Sequence, residues 1–424
     1  MKFIYKLLSL SLAIACLSGC SAANTEIASS SAATATVTPT TDSTEVPASN
    51  NVFTSAGDGL YVTTDSGIYE LQTVFPDSAN IFYTDANTKE RIFLCANPNC
   101  THADESCPSY IATPSAMFPP MLLRVGDQLL VVFTEATDSS NPHGMLMNMD
   151  GSNRRTVFEL ASNQYMQGGF CTSGNDLYFD LYEINDSGNV TYQLWYVSFE
   201  NGTSEKVMDL GSDSDHYSLC DGANNELCFN HVSSDGISYC MYNPQSKTIS
   251  DPFFVDSSVS GNSMIQDGYL FVLDEQASSV QRIRLSDKEK ASASFTVKEG
   301  FGAPSMRYLF DGNLMITEAQ TTASDIPTDG SYGVCSYILD FGTRNCTEFT
   351  LQTPYNNRPV YVLTTIGDAC YVATDYKTYT PTSVSEDGTV SNFDYVANIY
   401  AFITKQDYIN SNQNGYSMVK DAFE

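Results

Sequence analysis

Basic residues are scarce in this chain of 424 residues: Lys and Arg total 20 against 50 Asp and Glu, a formal charge of −30. So acidic a surface repels phosphate backbones and excludes nucleic acid as a partner. It also repels anionic lipid head groups, so any membrane attachment has to be covalent or apolar. Trp195 is the single tryptophan, and there are four histidines. No stretch approaches the ~18 consecutive apolar residues of a membrane-spanning helix. The Gly-x-Ser-x-Gly elbow, His-Glu-x-x-His and the phosphate-binding glycine loop are all missing, which removes the sequence signatures of several hydrolase and nucleotide-dependent classes. Charged residues are only 17% against 42% apolar, a balance that excludes global disorder and allows a sizeable core. The 26 Tyr and 23 Phe favour strands.

The N-terminus points to a compartment. Lys2 and Lys6 precede the apolar run Leu7–Cys16, which ends in Leu17-Ser18-Gly19-Cys20. A basic start and a short apolar stretch read as an export signal over residues 1–19. The last four residues resemble the bacterial lipobox, and that resemblance implies a diacylglyceryl group on the thiol of Cys20. The expected location is therefore the outer face of the cell membrane, with the protein extracellular and held by its lipid anchor. Removing Lys2 and Lys6 leaves 18 basic against 50 acidic residues, or −32. From Ser21 to Asn50 the chain is mostly Ser, Thr and Ala, and Ile27, Val37 and Val46 are its only large apolar residues. Such a segment cannot offset its ordering entropy, so residues 20–50 read as a lipidated Cys followed by a disordered tether.

Residues 51–424 carry one recurring pattern: a Gly, Asp or Asn turn, then a strand opening on Leu and an aromatic or β-branched residue. It begins at Leu60, Leu129, Leu177, Leu227, Leu270, Leu314 and, with Cys in the Leu position, Cys370. The intervals are 69, 48, 50, 43, 44 and 56 residues. Four-stranded propeller blades repeat every ~40–50 residues, so four intervals fit and two require insertions. Second strand signals follow at Met145–Met149, with an Asp150-Gly151 turn, at Leu194–Val197 and at Ser336–Leu339. Small sheets that are apolar on both faces become stable when stacked radially. The expected fold is an all-β propeller of four-stranded antiparallel blades, seven in number, with six or eight as the alternatives. Tyr61, Tyr178, Tyr269 and Tyr371 then pack between sheets.

The segment Met147-Asn148-Met149-Asp150-Gly151-Ser152-Asn153, with these repeats, resembles TolB-like propellers. The chain as a whole is similar to propeller lipoproteins exported by Gram-positive gut bacteria. Those proteins share a segment like Leu94-Cys95-Ala96-Asn97-Pro98-Asn99-Cys100-Thr101-His102 running on to Cys107 and Tyr110, and an ending like Ile403-Thr404-Lys405-Gln406-Asp407-Tyr408. The resemblance implies a fold and a location, and no reaction.

Cys95, Cys100, His102 and Cys107 form the one site-like constellation, since three thiols and an imidazole are a tetrahedral zinc inventory. A closed ligand set of this kind points to a structural Zn2+ rather than a catalytic one. Disulfides, which exported chains favour, are the first expectation for these cysteines, ahead of zinc, with reduced unliganded thiols the third. Cys228 and Cys240 flank a turn, Cys335 and Cys346 flank another, and Cys171 and Cys220 precede consecutive strand signals. Full pairing would further join one cluster cysteine to Cys370. His143, His216 and His231 are isolated in sequence, Asp213-Ser214-Asp215 reads as a solvated turn, and Tyr355, Tyr376 and Tyr379 are loop residues that could form a platform. The leading functional expectation is a non-catalytic binding module for a glycan, peptide or envelope partner. The alternative is a propeller hydrolase or lyase acting on polysaccharide, with carboxylates and tyrosines at the channel mouth.

Overall fold

A computed structural model of the chain describes residues 53–421 apart from 56–58, 75–77, 114–117, 257–261, 321–332, 380–381, 385–389 and 393–394. The signal peptide, Cys20 and the tether lie outside the described residues. Among the described residues the chain forms seven consecutive antiparallel units of four strands in sequence order: four are separate four-stranded sheets, the third and fourth are joined in one ten-stranded sheet, and the first lies in a six-stranded sheet. Blade 1 opens with Tyr61–Thr63, Gly67–Val74 and Ser78–Asp85. Blade 2 runs from Met121–Val125 to Arg155–Glu159, and blade 3 from Gln164–Ser173 to Thr203–Ser212. Blade 4 starts at Asp215–Ala223, blade 5 at Ser263–Gln266, blade 6 at Phe301–Tyr308 and blade 7 at Val362–Ile366. Blades 3 and 4 are joined by a short ladder, Gly211 to His216 and Ser212 to Asp215.

The ring is evident from its seams. Seven buried apolar clusters each draw on two neighbouring blades, and the series returns to its start. Between blades 1 and 2, for example, Leu71 and Ile81 pack against Leu122, Leu129 and Met147. Between blades 7 and 1, Tyr371, Tyr400 and Phe402 pack on Ile68. Each fully buried Leu, Ile or Phe contributes ~1.5–3 kcal/mol, so these seams hold the fold together. The first strands of neighbouring blades touch, as in the pairs from blades 1 and 2, 3 and 4, and 7 and 1, and so line the axis. The protein is a seven-bladed β-propeller.

The recurring turn explains itself. Register leaves two-residue loops at 126–127, 174–175, 224–225, 267–268 and 367–368. The first loop residue has positive φ in all five: Gly126, Gly174, Asn224, Asp267 and Gly367. Such turns match the twist of a hairpin and select Gly, Asn and Asp. They join first to second strands at what we term the lower end of the ring; first strands begin at the upper end.

Two features depart from a plain ring. Thr54–Ser55 pairs antiparallel with the inner edge of the first strand of blade 3 and touches that of blade 4. Phe53 donates its N–H to the carbonyl of Asn224 in a lower turn and sets its ring against Tyr178. Gly59 accepts a hydrogen bond from Leu122 at the upper end. The chain therefore passes from the lower mouth at Phe53 to the upper end of blade 1. At the other terminus, Ser417–Met418 is the outer strand of blade 7, and Lys420–Asp421 adds in parallel to Glu90–Phe93 of blade 1.

Candidate metal centre

The outer strand of blade 1 is built in two pieces. Glu90–Phe93 pairs with the lower half of Ser78–Asp85, and Tyr110–Ala112 with its upper half. The loop between them carries Cys95, Cys100, His102 and Cys107. Their ligand atoms all lie within 4.8 Å of one another. Four donors around one zinc ion with ~2.3 Å bonds to sulfur would stand about 3.8 Å apart, so the set can close on a metal such as zinc. Cys107 is buried and the other three are half-buried.

Local geometry brings them together. Cys100 donates its N–H to the carbonyl of Asn97 (3.2 Å), and Cys107 its N–H to that of Asp104 (3.0 Å), which turns both thiols inward. His102 takes positive φ (55°) and its Nδ1 stands 3.3 Å from the Cys107 Sγ. The His102 ring stacks on Phe93, with centroids 4.0 Å apart. Backbone N–H groups point at sulfur: His102 donates to the Cys100 Sγ and Ser109 to the Cys107 Sγ, each at 3.4 Å. The Ser109 hydroxyl lies 3.1 Å from the same sulfur and donates to Asn80 Oδ1 at 3.0 Å. Hydrogen bonds to sulfur favour the thiolate, the form that binds metal. Burial opposes the Cys107 thiolate, yet Ser109, His102 and Cys100 outweigh it and bring the thiol down to about 6. Burial instead pushes Cys95 up to about 11.

All ten described cysteines stand as free thiols in this structure. Cys228 stands opposite Met241, and Cys240 opposite Phe229. That one-residue offset sends the two side chains to opposite faces of blade 4, into different seams. Cys346 stands opposite Leu339, four residues along the strand from Cys335. Cys171 and Cys220 do lie on neighbouring inner strands, but Cys220 sits in a register shift and turns its thiol to the carbonyl of Ser218. Cys370 packs into the seam toward blade 6, on the side away from blade 1.

The other three histidines are less isolated than their sequence neighbours indicate. His143 stacks on Phe133 (4.4 Å), His216 on Tyr192 (3.9 Å) and His231 on Tyr217 (4.3 Å). All three pairs lie toward the upper ends of strands in blades 2 to 4. Tyr165 and Tyr182 extend the row by stacking at 5.1 Å, and Asp215 bonds the His231 Nε2 at 2.7 Å. Tyr376 lies within the second strand of blade 7 rather than in a loop and meets Tyr355 at 5.5 Å with the rings tilted by 59°, while the side chain of Tyr379 lies outside the described residues. Tyr61, Tyr178, Tyr269 and Tyr371 pack in seams as expected.

Among the described residues, Asp180 is a buried carboxyl on the second strand of blade 3. Burial raises it to about 7 against the pull of backbone N–H groups, foremost that of Leu219 in blade 4. It is 1% exposed, enclosed between blades rather than open at the channel mouth.

No protein-family model matches the chain, and no curated protein does. Solved structures match distantly. TolB from Acinetobacter baumannii is 8% identical, with 84% of this chain and 77% of that one covered and a TM-score of 0.35. The propeller domain of the Trilobed protease from Pyrococcus furiosus is 12% identical, with 72% and 99% covered and a TM-score of 0.36. The tricorn protease is 10% identical at a TM-score of 0.31; 81% of this chain is covered, and it spans about a third (35%) of that protein. The propeller assignment rests on the seven sheets and seams of the chain itself.

Proposed function

We propose that the chain is a lipid-anchored extracellular binding module that presents the upper face of its propeller to a glycan, peptide or envelope partner. The path of the chain carries this reading. Phe53 stands at the lower mouth, so a tether from a lipid on Cys20 that joins the propeller there would turn the upper face outward. The upper rim of blades 2 to 4 supplies stacked Tyr, Phe and His rings beside Asp215, groups suited to holding sugar rings or peptide side chains. The similarity to propeller lipoproteins of Gram-positive gut bacteria belongs to the same reading. Zinc in the Cys95, Cys100, His102 and Cys107 loop is structural: four protein donors leave no open position for substrate, and the loop lies on the circumference, away from the axis.

Retention and product release separate binder from enzyme. The protein is incubated with neutral and acidic polysaccharides, peptidoglycan and peptide pools, and bound and soluble fractions are read by mass spectrometry. Retention without new low-mass products is expected. Products that disappear when the protein is heat-denatured would replace this reading with the polysaccharide hydrolase or lyase. Metal analysis tests the zinc assignment, with one equivalent expected in the parent protein and none in Cys107→Ser.

A further inference from the structure

The seam that closes the ring is the least apolar of the seven. Its cluster holds four buried residues, Ile68, Tyr371, Tyr400 and Phe402, where the next smallest holds seven. What it has in addition is polar. Arg91, 3% exposed, donates to Glu70 Oε2 through Nε (3.0 Å) and Nη2 (2.8 Å) and to Asp421 Oδ1 through Nη1 (3.1 Å). Tyr400 of blade 7 donates its hydroxyl to Glu70 Oε1. Lys420 donates its N–H to the carbonyl of Lys89, and Lys89 lies 4.0 Å over the ring of Phe402. One short strand, Glu90–Phe93, therefore carries both the ladder to Lys420–Asp421 and the guanidinium that ties Glu70 to Asp421.

That strand leads directly into the cysteine loop. Phe93 stacks with the His102 ring and meets Phe82 at 4.6 Å; Arg91 lies 3.9 Å over Phe82. Leu94 donates its N–H to the carbonyl of Ile81, and Ser109 ties the far end of the loop to Asn80. Phe82, Asn80 and Thr84 alternate along one face of the third strand of blade 1, and Thr84 Oγ1 meets the Tyr371 hydroxyl of blade 7 at 3.4 Å. The cysteine loop and the closing seam thus share one face of one blade.

We infer that the Cys95, Cys100, His102 and Cys107 site is a zinc-dependent clasp for the ring: the bound ion fixes the end of Glu90–Phe93, and through Phe93, Phe82 and Arg91 it holds blade 7 and Lys420–Asp421 against blade 1. This rests on the zinc assignment above. It goes beyond a structural ion in saying which contact the ion governs, one some distance along the chain from its own loop.

Hydrogen exchange of the full chain in detergent, with zinc and after chelation, tests it alongside metal content. On chelation, amides in 417–421, 397–404 and 66–72 are expected to exchange at least tenfold faster. Those in 226–232 and 269–273, at the seam between blades 4 and 5, should be unchanged. Faster exchange confined to 94–110 would overturn the clasp while leaving the zinc site standing. Faster exchange throughout the ring would overturn it too, by making zinc a requirement of the whole fold. A protein that binds no zinc would remove the zinc assignment and the clasp together. Phe93→Leu keeps all four ligands and the apolar bulk but loses the stack on His102. It should bind one zinc yet lose most of the zinc-dependent protection at 417–421; retention of that protection would overturn the route through Phe93.

Discussion

Asp180 shows how one side chain can make the ring sensitive to pH. Burial raises the folded carboxyl to about 7, whereas an unfolded Asp titrates near ~3.9. Between those values the folded state holds the proton that the unfolded state has released. The stability it contributes is therefore complete below pH ~4 and is lost as pH rises through 7. Above that, a buried carboxylate has the N–H of Leu219 as its main return, with lesser help from the backbone N–H groups of Asp180 and Gly169. Asp180→Asn retains a carbonyl for Leu219 and has nothing to ionise. Its melting temperature should lie close to that of the parent at pH 5 and above it at pH 8. Equal parallel shifts at both values would mean that Asp180 is already ionised in the fold or reached by water.

At the scale of strands and turns, the second strand of each blade was largely legible because its turn leaves little choice of residue. A two-residue hairpin loop with positive φ selects Gly, Asn or Asp, and the strand that follows must be apolar on both faces to fill two seams. Six of the seven signals fall on second strands. The Leu60 signal falls just ahead of a first strand instead, and the true second strand of blade 1 begins at Gly67. Counting from Ile68, which faces blade 7 as Leu129 faces blade 1, shortens the first interval from 69 to 61 residues, and the cysteine loop accounts for the excess. Cysteine pairing was illegible for a related reason: sequence places two residues near a turn but does not fix parity, and a slip of one position exchanges the faces. The histidine stacks were hidden further still. His216 reaches Tyr192 only because Gly211 stands between them in the ladder. Close approach at another glycine yields a direct test. A Cβ at Gly169, in the register shift of the first strand of blade 3, would lie 2.2 Å from the carbonyl oxygen of Leu219 in blade 4. Backbone cannot give way as a side chain can, so Gly169→Ala should cost about 1–3 kcal/mol in a urea titration. A loss below ~0.5 kcal/mol, the range of a neutral surface change, would show that blades 3 and 4 stand further apart.

For the whole molecule, the consequential feature is that the chain enters by one face of the ring and would offer the other to a partner. On the proposed lipid anchor at Cys20, the thirty residues from Ser21 to Asn50 would, at random-coil dimensions, reach roughly 30 Å and leave room for both faces to be approached from solution. Shortening the tether should break that symmetry. With most of residues 25–48 deleted, the lower mouth is drawn toward the bilayer, while the large excess of acidic residues disfavours flat contact with anionic lipid. An epitope placed in the upper turn at 186–188 of blade 3 should then remain open to antibody on cells stripped of their wall. The same epitope in the lower turn at 200–202 should become several-fold less accessible. Both turns belong to one blade and are exposed, so any difference reports orientation rather than local fold. Cys20→Ala, which removes the thiol proposed to be acylated, should release both versions into the medium with equal reactivity. If shortening the tether shields the upper turn instead, the aromatic rim of blades 2 to 4 faces the membrane, and its partner must be sought among lipids and membrane proteins rather than among soluble glycans and peptides.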